Sequence, residues 1–339
     1  MSVTFIDGCS HYDNLLHKYD AATAGASIGI TNPRRVGSRH ILLDAYDDYC
    51  VTRALASSTG RVTVGCAFRV PIGEVHHVGF TMYYGATAQV SVFVNPSDGR
   101  IAVMRGDDCG VLLATSDPGL VVTGRWYYLE FGARIHNTLG STEVRLNGSP
   151  IDALTLTGVD TEAGTSAYAD RIRFFGAASF CDIVVCQSSS SVSFLGDCLV
   201  DTILPSGAGA HTDWTPSAGA NYQNVDDAGV IDEDGTYNAS SAAGDIDTFA
   251  FANLPSRPTS DILAVAVNLA LRKDDAANRV LAAQARIGGT DYVIGTGGYA
   301  TSSYMVHQKI EETNPSTSQP WEEAAVNGAE FGYLQFSVS

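Results

Sequence analysis

Arg61-Val-Thr-Val-Gly-Cys-Ala-Phe-Arg-Val70 is the stretch of sequence that decides the fold. Its apolar side chains return at every second residue, which is the period of a β-strand that buries one face against a core. The same alternation is found at 78–84 and again at 90–94. These three runs predict neighbouring strands of a β-sheet.

Turn sequences separate the alternating runs. Asn95-Pro-Ser-Asp-Gly99 lies between two runs, and Asn147-Gly148 follows the run 142–146. Both are typical of β-hairpins. Together with the runs at 124–131, 172–175 and 183–185, they give about ten strands, the number expected of a two-sheet sandwich. We therefore predict an all-β first domain.

A serine-rich junction at 187–193 marks the predicted domain boundary. We place the first domain at 1–190 and a second, β-rich domain at 196–339. The second domain should begin with a strand over 196–205 that ends at its proline. It should continue with a long loop over 206–247.

Further along, alternating apolar residues predict two strands around the polar turn 273–278. The first of them covers 262–271, although its alanine content would also permit a helix. A third strand is expected through 291–294, followed by a short helix near 321–326.

The charge of the chain is −17 and is unevenly spread. Residues 1–195 hold 14 Lys and Arg against 18 Asp and Glu, whereas residues 196–339 hold 6 against 19. The second half is therefore strongly acidic, with a net charge of −13. Such a surface disfavours nucleic acid and anionic membranes as partners, and it favours cations or a basic protein surface.

The beginning of the chain and its cysteines bear on the compartment. Met1-Ser-Val-Thr-Phe-Ile-Asp-Gly-Cys9 has no basic segment and no apolar signal core, and no apolar run is long enough to span a membrane. The seven cysteines include no Cys-x-x-Cys pair, which argues against structural zinc and for small core side chains. We expect synthesis without a signal peptide.

No catalytic motif stands out. The chain lacks a phosphate-binding Walker loop and His-Glu-x-x-His. Glu130 has no acidic neighbour two or four residues away, as a paired-carboxylate hydrolase on such a sandwich would need. His76 and His77 are adjacent, so on a strand they would point to opposite faces. We predict a protein that is not an enzyme.

Two kinds of binding residue remain as candidates. Acidic residues in the long loop could hold Ca²⁺, although a solvated acidic loop explains the same composition; they are Asp226, Asp227, Asp232 and Asp234. Aromatic side chains could stack on sugars or anchor a protein partner. These are Tyr83, Tyr84, Trp126, Trp214 and Trp321, of which the last two have polar neighbours and are expected to be partly exposed.

Gly124-Arg-Trp-Tyr-Tyr-Leu-Glu130, with the later Glu143-Val-Arg-Leu-Asn-Gly148, resembles the laminin-G-like, concanavalin-A-like jelly roll. The resemblance covers about 1–190 and begins with Phe5-Ile-Asp-Gly8, an opening similar to that of tailed-bacteriophage proteins of this type. The second half resembles regions that accompany such domains in phage structural proteins, at Trp214-Thr-Pro216 and 326–332. The resemblance implies a virion component.

From these observations we predict an all-β protein with an N-terminal jelly-roll sandwich and a second, acidic β-rich domain. The expected role is a structural part of the exterior of a tailed-phage particle, as a capsid, neck or tail accessory, a decoration or a fibre. It would be made in the host cytoplasm, form homo-oligomers and contact other virion proteins. The alternative is a receptor-binding adhesin that recognises host-surface glycans through the jelly roll.

Overall fold

The computed structural model describes residues 2–44, 50–257, 261–295 and 298–338. The chain divides into two compact units. The first comprises Met1–Ser10 and Asn14–Val200, and the second comprises His11–Asp13 and Asp201–Ser339. Residues 196–200, which the sequence assigned to the second domain, thus pack with the first unit.

Antiparallel strands make up almost all of the regular structure of the first unit. They are β1 (Ser2–Asp7), β2 (Ala21–Ala22), β3 (Ala26–Gly29), β4 (His40–Leu43), β5 (Cys50–Thr59), β6 (Arg61–Arg69), β7 (Val78–Tyr84), β8 (Thr87–Asn95), β9 (Arg100–Arg105), β10 (Val111–Thr115), β11 (Trp126–Arg134), β12 (Gly140–Leu146), β13 (Ser149–Pro150), β14 (Leu156–Val159), β15 (Ala169–Phe175) and β16 (Ala178–Gln187). Short 3-10 helices lie at Leu15–His17 and Asp152–Leu154.

Two sheets form the first unit. The nine-stranded sheet has the order β13-β12-β11-β6-β16-β4-β3, with β1 also paired to β16 and β14 to β12. The seven-stranded sheet has the order β10-β9-β8-β7-β15-β5-β2. Neighbours in each sheet are antiparallel and many are distant in sequence, as in a jelly-roll sandwich. The predicted all-β class and jelly-roll architecture are confirmed.

Aromatic side chains join the two sheets across the core. Phe80 of the seven-stranded sheet lies 6.1 Å from Phe131 of the nine-stranded sheet, measured between ring centroids. Phe174 and Phe180 make a second such contact at 5.2 Å. Because side chains alternate along a strand, these contacts fix which residues of each strand face inward and which lie on the outer face.

The hairpins predicted from turn residues are present. Asn95 pairs with Arg100 across the first turn, and the Gly99 amide donates to the Asn95 carbonyl at 2.9 Å. Gly99 has a φ of 70°, a left-handed conformation that glycine adopts without strain. Leu146 likewise pairs with Ser149 across Asn147-Gly148. The sequence thus placed both turns correctly.

The second unit is also built of strands. They are β17 (Pro205–Thr212), β18 (Thr215–Pro216), β19 (Asn238–Ala239), β20 (Ile246–Phe251), β21 (Val265–Leu271), β22 (Arg279–Ile287), β23 (Thr290–Val293), β24 (Gly298–Tyr299), β25 (Met305–Glu311), β26 (Thr313–Asn314), β27 (Gln319–Pro320) and β28 (Glu330–Val338). Helix α1 covers Glu323–Asn327, and a 3-10 helix covers Asn221–Asn224. The predicted short helix is confirmed.

A six-stranded sheet with the order β17-β20-β28-β22-β23 is the centre of this unit, with β24 paired to β22. The two strands predicted around the turn 273–278 are present as β21 and β22, but they do not pair with each other. Instead β21 pairs along its whole length with β25. Trp321, Phe331 and the alanines of β22 lie in the core between these elements.

Two predictions for the second half were wrong. Residues 196–204 form no strand; the strand begins at Pro205, where one was expected to end. The reason is that the backbone of 196–200 bonds to side chains of the first unit instead of to a neighbouring strand. The expected loop over 206–247 contains three strands and a 3-10 helix, which its small and polar residues did not reveal.

The cysteines within the described residues are free thiols. Cys9, Cys66, Cys181, Cys186 and Cys198 are buried, as predicted for core side chains, whereas Cys109 is exposed. The side chain of Cys50 lies outside the described residues. No helix in the described ranges combines the length and apolar character that crossing a membrane requires.

Candidate functional site

A strap formed by residues 188–200 crosses the outer face of the nine-stranded sheet. It starts where the Ser188 amide donates to the Arg61 carbonyl at 3.2 Å. It ends where the Val200 amide donates to Asp182 Oδ1 at 2.9 Å. Along the way, Phe194 lies under the Arg145 guanidinium, 4.2 Å from the ring centroid. The strap therefore closes this face of the sandwich.

Glu130 fastens the middle of the strap. Its Oε1 accepts hydrogen bonds from the backbone amides of Leu195 at 2.8 Å and Gly196 at 3.0 Å. The side chain is 2% exposed, and its other oxygen, Oε2, has no hydrogen-bond partner among the described residues. Burial raises the pKa of this carboxyl, against the effect of the two amides. Glu130, the acid considered above for a hydrolase, is thus hydrogen-bonded to the strap.

A small cavity lies beside Glu130. Its volume is about 10 Å³, close to the space that one water molecule needs. The residues that line it are Thr63, Gly65, Tyr128, Glu130, Val184, Cys186 and Leu195. It is too small for a substrate.

Gly132 sets the distance between strap and sheet. A Cβ at this position would overlap Val192 and lie 2.8 Å from the Phe194 ring. We expect Gly132→Ala to lower the free energy of unfolding by about 1–3 kcal/mol, because the strap must move outward. Chemical denaturation measures this effect. In the control Gly207→Ala the new Cβ lies 3.8 Å from Ala250, an ordinary contact, so an equal loss there would contradict the prediction.

The outer face of the seven-stranded sheet carries a different set of side chains. Arg173 of β15 pairs with Thr81 of β7, and Thr81 pairs with Ser91 of β8, so all three lie in one row. The next row toward one end pairs Arg171 with Tyr83. We call this surface the Arg173 face.

The floor of the Arg173 face is packed, and its upper layer is accessible. Thr81 and Ser91 are buried, and four apolar side chains beside them form a cluster separate from the main core; these are Phe93, Ala102, Met104 and Phe175. Tyr83 and Arg173 are half-buried and Arg171 is exposed. The accessible groups therefore stand on a rigid floor, which holds their positions.

A histidine–aspartate pair lies at the rim of this face. The His77 ring stacks on Phe93 with centroids 4.0 Å apart, and its Nδ1 lies 3.1 Å from Asp108 Oδ2. The hydrogen bond with His77 lowers the pKa of the Asp108 carboxyl. Its folded-state pKa lies below the unfolded value, so the pair stabilises the fold above that value and loses the effect only as the pH falls through the folded pKa.

The structure separates the aromatic residues that the sequence proposed for the first domain. Tyr83 lies on the Arg173 face, whereas Tyr84 points to the opposite side, where its ring is 6.3 Å from Tyr168. Trp126 belongs to the other sheet, and its Nε1 donates to the Asn32 carbonyl at 3.0 Å. Of these three, Tyr83 alone contributes to the Arg173 face.

The two tryptophans of the second unit belong to its core. Trp321 was expected to be partly exposed, but it is 3% exposed and packs against Phe331 at 6.2 Å. Trp214 is half-buried, and its ring meets Tyr333 edge-on at 4.7 Å. The prediction of partial exposure is therefore wrong for Trp321 and confirmed for Trp214.

The acidic loop of the second unit does not converge on a cation site. Arg272 binds Asp234 through Nε at 2.9 Å and through Nη2 at 2.7 Å, and the Tyr304 hydroxyl donates to the same oxygen. Asp232 accepts from Thr236, and Asp227 accepts from the Asp232 amide. The loop's Asp-Gly sequence forms a turn closed by a bond from Gly235 to the Asp232 carbonyl. These contacts engage Asp227, Asp232 and Asp234, and the Ca²⁺ site stays a prediction from the sequence.

Within the described ranges, a single group of three potential metal ligands has atoms within 4.8 Å of one another, and it comprises Asp107, Asp108 and Cys109. Neither Asp226 nor the other three aspartates proposed for Ca²⁺ belong to such a group. Asp107 and Cys109 are exposed, and the Cys109 amide donates a hydrogen bond to Asp107 Oδ1 at 3.1 Å. Exposed acidic turns commonly form this arrangement without a cation, so we assign no metal to it.

No protein-family model matches this chain, and no curated protein matches it. Among solved structures, the cellulose-induced protein Cip1 is 18% identical, over 53% of this chain and 92% of that one, with a TM-score of 0.37. The galectin LEC-6 of Caenorhabditis elegans is 10% identical over 47% and 100%, with a TM-score of 0.31. The carbohydrate-binding module CBM66 from Bacillus subtilis is 10% identical over 47% and 93%, also with a TM-score of 0.31. At these values we draw nothing from them about what this chain binds.

Proposed function

We propose that this chain is a non-enzymatic binding protein whose first unit recognises a glycan at the Arg173 face. One observation carries the proposal: Tyr83, Arg171 and Arg173 lie side by side on adjacent strands, on the outer face of the seven-stranded sheet. The strap crosses the outer face of the other sheet and does not cover them. A planar ring beside two guanidinium groups suits a sugar, which offers an apolar ring face and a rim of hydroxyls.

The chemistry of the neighbouring groups fits the same ligand. A guanidinium group carries several N–H donors, of which Arg171 uses Nε on Asp170, and Asp108 at the rim carries carboxylate acceptors. Sugar hydroxyls need both kinds of partner, because each hydroxyl donates one hydrogen bond and accepts others. The buried floor beneath Arg173 would keep these groups in place before the ligand arrives, which lowers the entropic cost of binding.

The arrangement around Glu130 supports a role without catalysis. A retaining or inverting glycosidase uses two carboxyl groups about 5–10 Å apart on either side of the scissile bond. Glu130 is buried and bonded to the strap, so it offers no oxygen to a substrate on the surface. If the chain instead released sugar from host polysaccharide, with a loss of activity in Glu130→Gln, the proposal of a non-enzymatic role would be wrong.

A glycan array on the full chain tests the proposal. We expect binding to a subset of glycans and, for the best of them, a loss of about fivefold in affinity on Tyr83→Ala, because a stacked aromatic ring contributes about 1 kcal/mol. Tyr84→Ala is the matched control: the neighbouring tyrosine points to the other side and should leave the affinity unchanged. The absence of any glycan ligand, or equal losses in both variants, would remove the idea.

A second proposal concerns the setting in which the chain acts. We propose the exterior of a tailed-phage particle, where the chain would serve as a capsid, neck or tail accessory, a decoration or a fibre. The resemblance of Phe5-Ile-Asp-Gly8 and of the second half to phage structural proteins supports it, and the charge of −13 on residues 196–339 suits docking on a basic particle surface. Repeated copies would then bind host glycans with high avidity.

Mass spectrometry of purified particles checks this second proposal. We expect peptides of the chain in the particle fraction, at a constant ratio to other virion proteins across a density gradient. Detection of the chain in infected-cell lysate, with none in the particles, would contradict it and would leave the glycan proposal to be judged by its own experiment.

A further inference from the structure

Two arginines lie directly opposite each other on adjacent strands of the nine-stranded sheet. Arg61 is the first residue of β6 and Arg134 is the last residue of β11, and the register of the two strands pairs them. Directly opposed residues of antiparallel strands have Cβ atoms about 5 Å apart, and like charges at this distance repel. Both side chains are half-buried, so solvent screens this repulsion incompletely.

Within the described residues, neither guanidinium has a carboxylate within 4.0 Å. Several other arginines of this unit do, and Arg34, for example, lies 2.7 Å from Asp182. Glu143 is a nearby acid, since it pairs with Gly132, two residues before Arg134 on β11. Its Oε1 already lies 2.6 Å from Arg145 Nε. The distinguishing feature of Arg61 and Arg134 is that two cations without an acid lie directly opposite each other, so their repulsion is not neutralised by a carboxylate of the described residues.

Hydroxyl and carbonyl groups complete the row. Ser141 of β12 pairs with Arg134 on its other side, which places Arg61, Arg134 and Ser141 at one level across three strands. Arg61 Nη1 donates to the Ser189 carbonyl of the strap at 2.8 Å, which anchors that guanidinium and leaves its other N–H groups available. The three side chains lie on the same outer face as Gly132.

We propose that Arg61, Arg134 and Ser141 form a binding site for a single oxyanion group: a carboxylate, a sulfate or a phosphate. Guanidinium groups bind such oxyanions through paired N–H donors, and a charge-assisted hydrogen bond is about twice as strong as a neutral one. One bound anion would neutralise the repulsion between the two arginines. The site lies on the other sheet from Tyr83, so it is independent of the proposed glycan face.

Calorimetric titration of the full chain tests the site. The probes are sodium sulfate, inorganic phosphate and sodium galacturonate, each compared with sodium chloride at equal ionic strength. We expect at least one oxyanion to bind, with affinity reduced at least tenfold in Arg134→Gln and in Arg61→Gln. The preferred probe identifies the source: galacturonate indicates an acidic sugar, and sulfate or phosphate indicates a tetrahedral ester or the free ion.

Arg125→Gln serves as the matched control, because it removes an exposed arginine of the same unit and should leave the titration unchanged. Arg134→Lys keeps the charge but not the fork of donors, so we expect an intermediate loss. Removing one of two repelling charges should also raise the midpoint of thermal unfolding of Arg134→Gln in low salt, so that weak binding is not mistaken for misfolding. Equal binding in wild type and Arg134→Gln, or binding no stronger than that of chloride, would overturn the proposal.

Discussion

Asp7→Ala is expected to lower the free energy of unfolding by about 3–5 kcal/mol, because it leaves a buried lysine without its counter-charge. Lys18 Nζ lies 3.2 Å from Asp7 Oδ1, and the two side chains are 1% and 0% exposed. The Tyr19 hydroxyl donates to Asp7 Oδ2 at 2.7 Å, and the Cys9 amide donates to Oδ1 at 2.9 Å. Asp7 therefore ties the end of β1 to the segment that follows it.

Burial lowers the pKa of Lys18, although Asp7 opposes the shift. Equilibrium denaturation in urea measures the loss of stability in Asp7→Ala. Asp197→Ala is the matched control: it also removes the aspartate of an ion pair, here with Arg34, but this aspartate is 44% exposed, and an exposed ion pair contributes about 0–1 kcal/mol. The double variant Asp7→Ala/Lys18→Met should regain part of the loss, since it removes both charges. If it were no more stable than Asp7→Ala, the loss could not be attributed to the unpaired lysine.

Glu130→Ala should lower the free energy of unfolding by about 2–4 kcal/mol, because two half-buried amides of the strap lose a charged acceptor. The effect should be local as well as global: protease cleavage within 188–200 is expected to become faster than in wild type. Limited proteolysis followed by mass spectrometry locates the cut, and denaturation measures the stability. Glu130→Gln keeps an oxygen for the amides of Leu195 and Gly196 and should retain most of the stability.

The same residue gives a pH dependence with a defined sign. Burial raises the pKa of Glu130 above its unfolded value, so between the two values the folded state binds more protons than the unfolded state. The contribution of Glu130 to stability is therefore greatest below the unfolded pKa and falls as the pH rises through the folded pKa. Measured against Glu130→Gln, wild type should lose relative stability over this interval. A relative gain would contradict the burial effect.

The sandwich could be predicted because its information is local. The alternation in Arg61–Arg69 and Val78–Tyr84 indicates strands with a buried face, and the glycine at position 99 indicates the turn. Pairing is not local. Nothing near β21 in sequence says that its partner is β25 rather than β22, because both candidates offer similar apolar strands.

The strap and the candidate sites were beyond the reach of the pattern. Residues 196–200 were assigned to a strand that ends at Pro205, yet their backbone is held by the side chains of Asp182 and Arg34. Arg173 was not proposed as a site residue from the sequence, because single arginines alternate with apolar residues on any half-exposed strand. The sequence shows that Arg61 and Arg134 each lie at the end of an aromatic or apolar strand. It does not show that they are neighbours, because only the register of β6 and β11 pairs them. Tyr83 was among the residues that the sequence proposed, because an aromatic ring can stack on a sugar or anchor a partner.

The C-terminal boundary of an expressed fragment determines whether the first unit can be studied alone. A fragment that stops at residue 190, as the serine-rich junction invites, would lack Leu195, Gly196 and Val200 and would present the bare sheet around Tyr128 and Glu130 to solvent. Such material should be recovered chiefly as insoluble aggregate. Ending the fragment after Val200 keeps the closing segment in place, and recombinant yields of the two fragments would register the difference.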